Sequence, residues 1–75
     1  MQRRLRMKLT KSEDVILDVI RRMRNNPGDG VPLQAFYSIA PAAERDAAIE
    51  TLVEKDVLSQ RNGRLFVTPD GEAYI

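Results

Sequence analysis

The pair Asn62-Gly63 constrains this 75-residue chain more than any other feature. Asn-Gly tolerates the positive φ angles of a type I′ turn, and here it lies between two short alternating runs, 57–61 and 64–68. A two-residue loop at that point fixes the register of the hairpin. Arg61 is placed opposite Arg64, Gln60 opposite Leu65, Ser59 opposite Phe66 and Leu58 opposite Val67. Leu58, Leu65 and Val67 then share one face, which is assigned to the core. The two arginines meet at the tip, where like charges repel at a small cost that a counter-anion relieves. The same arginines also keep a hairpin tip soluble and block edge pairing, so the pattern alone leaves both roles open.

A lone hairpin needs a surface to pack on, and the rest of the chain supplies helices. Thr10-Lys11-Ser12-Glu13 has the form of a capping box. Val15, Ile16, Val19, Ile20 and Met23 follow as the expected buried stripe of a first helix. Asp14 and Asp18 load its first half and Arg21, Arg22 and Arg24 its second, which suits the helix dipole and pairs Asp18 with Arg22. Residues 25–30 (NNPGDG) form a turn-rich stop. Val31 is pushed to an extended conformation by Pro32, and Pro32 opens a short second helix through about Ile39. Pro41 opens a third helix to about Lys55, with Ile49, Leu52 and Val53 buried and Ala42 beside them. Ala43, Glu44, Ala47, Thr51 and Glu54 fall on the opposite face of its wheel. Asp56 is the expected left-handed residue that ends it. After the hairpin, Thr68-Pro69-Asp70-Gly71 reads as the start of a last helical turn, with Tyr74 and Ile75 as packing residues. The chain is therefore expected to be mainly α with a small β-hairpin (α+β), in one domain over 10–75.

Charge is distributed unevenly. The net charge is +1, yet residues 1–11 hold Arg3, Arg4, Arg6, Lys8 and Lys11 and no acid. Seven basic and eleven acidic residues remain for 12–75. The picture is a basic, flexible arm (1–9) on an acidic body, an asymmetry that marks a contact with nucleic acid or a membrane surface, or a merely solvated terminus. Leu5, Met7 and Leu9 alternate with Arg4, Arg6 and Lys8, a pattern open to a short strand or a docked arm. No apolar stretch nears the ~20 residues of a membrane span, and no apolar segment follows the basic start, so a cytoplasmic protein is expected.

The composition argues against an enzyme. Cysteine and histidine are both absent, which removes thiol nucleophiles, thiolate metal sites and the commonest general base. No carboxylates stand out as an acid/base couple, and the Gly-rich run at 26–30 follows a helix and lacks the Lys-Ser/Thr of a phosphate loop. No metal, cofactor or small-molecule substrate is expected.

Two runs carry a resemblance. LVEKDVLSQR (52–61) is similar to the end of the recognition helix and first wing strand of bacterial winged-helix regulators. VTPDGEAYI (67–75) is similar to the Leu-Thr-x-x-Gly run that leaves the second wing strand in MarR-like regulators. Asp56 stands where those regulators usually carry glycine, and many of them continue into a dimerisation helix. The resemblance covers about 10–75 and implies a winged helix-turn-helix, with three helices and a two- or three-stranded wing sheet.

It also implies double-stranded DNA as partner and a role as a small transcription regulator. Carried onto this sequence, Ala43, Glu44, Ala47 and Thr51 face the major groove, and Arg61, Asn62 and Arg64 form the wing contact. The arm (Arg3, Arg4, Arg6, Lys8) follows the backbone, as arms of other DNA-binding domains do. About five phosphate contacts would give a log–log salt slope of roughly −4.5. The alternative is a docking or dimerisation module that does not bind DNA. Residues 41–56 hold five acids against Arg45 and Lys55, which suits a basic partner or the arm of a second copy better than a phosphate-lined groove.

Overall fold

The computed structural model of the chain describes residues 8–75. The expected arm positions Arg3, Arg4 and Arg6 lie outside the described residues. The described chain is a small α+β domain with two α-helices and a three-stranded antiparallel sheet. Helix α1 (Lys11–Met23) is followed by strand β1 (Val31–Pro32), a 3₁₀ helix (Leu33–Phe36), helix α2 (Ala42–Glu54), strands β2 (Leu58–Arg61) and β3 (Arg64–Val67), and a second 3₁₀ helix (Asp70–Tyr74). Among the described residues no helix is long and apolar enough to cross a membrane.

Local chemistry sets most boundaries. The capping box forms: the Glu13 amide donates to Thr10 Oγ1 (3.1 Å) and the Thr10 amide donates to Glu13 Oε1 (2.9 Å). At the end of α2 the Asp56 amide donates to the Val53 carbonyl and the Val57 amide to the Leu52 carbonyl, each at 3.0 Å. That is a Schellman closure with Asp56, at φ +62°, in the place glycine usually takes. The hairpin turns through Asn62 (φ 52°) and Gly63 (φ 72°), and its register is the expected one, with Arg61 opposite Arg64. Strand β1 adds to the free edge of β3, pairing Val31 with Leu65 and Pro32 with Arg64. Pro32 sits on the edge strand, where its missing amide costs no ladder bond.

Three helices were expected, and two α-helices form. The middle element is the four-residue 3₁₀ helix Leu33–Phe36. Strand pairing holds the chain up to Pro32, and the residue before Pro41 is disfavoured in a helix. The few residues left between cannot offset α-helix nucleation, so the tighter turn forms instead.

The core is built by Ile16, Leu17, Ile20, Phe36, Leu52, Leu58 and Leu65, all at most 1% exposed. The expected face of α1 is corrected. Val15 and Met23 are 39% and 55% exposed, while Leu17 is fully buried beside Glu13, Ile16 and Ile20. The real stripe begins with a carboxylate, so counting apolar residues alone sets the helix at the wrong rotation. On α2, Ala48, Ile49 and Leu52 face the core, whereas Ala42 is exposed. Thr51 is half-buried rather than opposite the core. Past the sheet, Thr68 Oγ1 accepts from the Gly71 amide (2.8 Å), which folds the last turn back over Val57. A Cβ on Gly71 would overlap the Val57 carbonyl oxygen.

Candidate functional site

The hairpin tip is built first by the Asn62-Gly63 turn, which aligns Arg61 and Arg64 directly across the two strands. The Arg61 guanidinium lies 4.2 Å from the centre of the Phe66 ring, a cation–π contact that orients it without neutralising it. Arg64 Nη1 donates to the Gly30 carbonyl at 3.2 Å. Both side chains, and Asn62 between them, are exposed. The Leu33 amide donates to the Gly63 carbonyl (2.9 Å), which ties the tip to the body of the domain.

The described cations divide cleanly. Arg21 and Arg22 both bond Asp18, at 3.1 and 2.7 Å. Arg24 grips Glu72 through two hydrogen bonds of 2.8 and 2.7 Å, and this holds the Glu72 carboxyl below its usual range. Arg45 bonds Asp46 (2.9 Å), and Lys55 bonds Glu13 (2.9 Å). Lys8, Lys11, Arg61 and Arg64 are the cations without a carboxylate within salt-bridge reach among the described residues. Three of these are expected contact residues. Lys11 is the one that sequence reasoning left out. Its signal was available: a cation in the first turn of a helix opposes the dipole and calls for another use.

Of the four expected recognition-helix residues, Glu44, Ala47 and Thr51 border one cleft, and Ala43 does not. Ala43, Glu44 and Ala47 are exposed. The Thr51 hydroxyl instead donates to the buried Glu13 carboxylate, which also takes two bonds from Lys55 Nζ at 2.9 and 3.0 Å. Burial pushes the Glu13 carboxyl up, but the bonds from Thr51, the Thr10 amide and Lys55 together bring it below its ordinary value. Glu44 and Thr51 border a shallow cleft of about 270 Å³ beside Thr10 and Ser12. Ala43 lines a larger open groove of about 1000 Å³, with Leu33, Tyr37 and Val53 as apolar lining, Asp46, Glu50 and Glu54 as its acids and Arg45 as a cation beside them. Ala47 lines both.

Glu44, Glu50 and Glu54 have no cation within salt-bridge reach among the described residues. Among the described residues the unpaired cations thus lie at the hairpin tip and the start of α1, and unpaired acids lie along α2, with Asp14 a further one in the first turn of α1. Among the described residues no three His, Cys, Asp or Glu side chains gather as a metal ion would need.

No family model, curated protein or solved structure matches the chain. The functional reading therefore rests on the surface itself.

Proposed function

We propose that this chain is a winged-helix DNA-binding domain that holds duplex DNA through its hairpin tip and N-terminal arm, as a small cytoplasmic transcription regulator. The observation that carries the reading is where positive charge stays unneutralised: Arg61 and Arg64 at the tip, and Lys8 and Lys11 where the arm joins α1. Two arginines held opposite each other repel, and a phosphate between them turns that cost into attraction. The element order supports the winged-helix reading, with the β2–β3 hairpin as wing and the short 3₁₀ helix in the place of the middle helix. Contacts of this kind position a protein on the backbone and carry little sequence information. Base reading would fall to Ala43, Glu44 and Ala47 in the first half of α2, with Glu44 accepting from a cytosine amino group.

A second reading follows from Glu44, Glu50 and Glu54. Free acids on α2 oppose entry into a groove lined by phosphates and favour a basic protein partner on that face. One titration separates the two. Random-sequence duplex at about 0.05 M salt is expected to bind the full chain, and the double variant Arg61→Ala/Arg64→Ala to bind several-fold more weakly. No binding by the full chain would overturn the DNA reading and leave the docking one. Loss only when residues 1–8 are removed, with no effect of the double variant, would take the hairpin out of the interface.

A further inference from the structure

Helix α2 carries a like-charge pair of its own. Glu50 and Glu54 are one turn apart, both exposed, with no cation within salt-bridge reach among the described residues. Like charges at this spacing oppose the helix they sit on. They border the groove of about 1000 Å³, whose apolar lining includes Leu33, Tyr37 and Val53 and whose lining cation, Arg45, is bonded to Asp46 and lies over the Tyr37 ring, so that Glu50 and Glu54 are left as its unpaired acids. Acids beside an apolar lining suit an occupant that alternates base and apolar side chain.

The chain contains such a segment. Arg4-Leu5-Arg6-Met7-Lys8-Leu9 alternates base with apolar residue. We propose that residues 1–9 dock into the α2 groove of the same chain, with Arg4 and Arg6 meeting Glu50 and Glu54 and with Leu5 and Met7 on the apolar lining. Spacing fits. Alternate residues of an extended chain are about 6.6 Å apart, and Cβ atoms one helical turn apart about 6 Å.

The point of entry fits as well. Ala47 lines both the groove and the cleft that Thr10 borders, so the segment leaves the domain next to the groove's edge. Leu9 is already packed against the core. Eight residues reach at most about 26 Å, while Ala47 to Glu54 spans about 10 Å of helix. A second copy offers the same groove, but a short tether gives the chain's own segment an effective concentration on the order of millimolar. The inference is independent of the DNA-binding reading. Where both hold, duplex DNA and the groove compete for the same arginines.

The chain has no cysteine, so Gln2→Cys provides a single site for a nitroxide label. Amide spectra of the labelled full chain, without DNA, are expected to lose intensity selectively over residues 46–54. The loss should persist on dilution. It should be relieved by Glu50→Gln/Glu54→Gln, two exposed changes that leave the unlabelled spectrum dispersed. It should also fade as salt rises from about 0.1 M to about 1 M, which shortens the screening length from about 10 Å to about 3 Å. An absence of selective loss would overturn the proposal. A loss that disappears on dilution would overturn it too, because the occupant would then be a second copy.

Discussion

Charges at the α1–α2 seam and charges at the hairpin tip are arranged on opposite principles. At the seam, buried Glu13 receives Thr51, the Thr10 amide and Lys55, so its oxygens are fully engaged. At the tip, Arg61 and Arg64 face each other, and their partners among the described residues are a ring and a carbonyl. The seam uses charge to fix how two helices meet, and its partners are all internal. The tip holds two like charges in place, and in the reading proposed above a phosphate outside the fold neutralises them. An ion pair that is satisfied within the fold says little about function, whereas an aligned pair of like charges says where a counter-ion belongs.

The contrast can be broken by substitution. Glu13→Ala should cost about 2–3 kcal/mol in chemical denaturation, since it strips a buried acceptor from Thr51 and a partner from Lys55. A loss below about 0.5 kcal/mol would mean that the seam is no more structural than the tip. Acid should act on the same site. The Glu13 pKa is lowered by folding, so its contribution is present above the ordinary carboxylate value and fades as pH falls through the folded value. Stability measured from pH 7 down to pH 3 should therefore fall more steeply in the wild type than in Glu13→Gln.

At the tip the readout moves from stability to binding. Arg61→Ala/Arg64→Ala should flatten the salt slope of DNA binding by about 1.8, two phosphate contacts' worth. The smallest effect is on the fold itself. Arg61→Ala should change stability by no more than about 0.5 kcal/mol, with the lost Phe66 contact offset by relief of the Arg61–Arg64 repulsion. A large loss would make Arg61 structural and weaken the functional reading of the hairpin.

Much of the fold was legible because short-range chemistry dictates it. The Thr10–Glu13 capping box, the left-handed Asp56, the Asn62-Gly63 turn and the cross-strand register all follow from residues within a few positions of one another. Longer-range features were hidden. The rotation of α1 depends on Glu13 meeting Thr51 and Lys55 about forty residues away, and no apolar pattern signals a carboxylate in the core. The same contact holds Thr51 half-buried, where a helical wheel of α2 alone would place it opposite the core. Arg24 was assigned to the dipole of α1, and its bidentate grip on Glu72 required the last turn to fold back. The hairpin arginines were legible as a pair. Their isolation from carboxylates was not, because it depends on where every acid ends up.

The most direct test is the salt dependence of duplex binding by the full chain. Affinity for a random-sequence duplex, measured from about 0.05 M to about 0.2 M salt, should fall with a log–log slope of roughly −4 to −5, as five or so phosphates are released. A slope near zero, or no binding at the lowest salt, would contradict the claim that the free cations of the hairpin and arm are there to hold a nucleic-acid backbone.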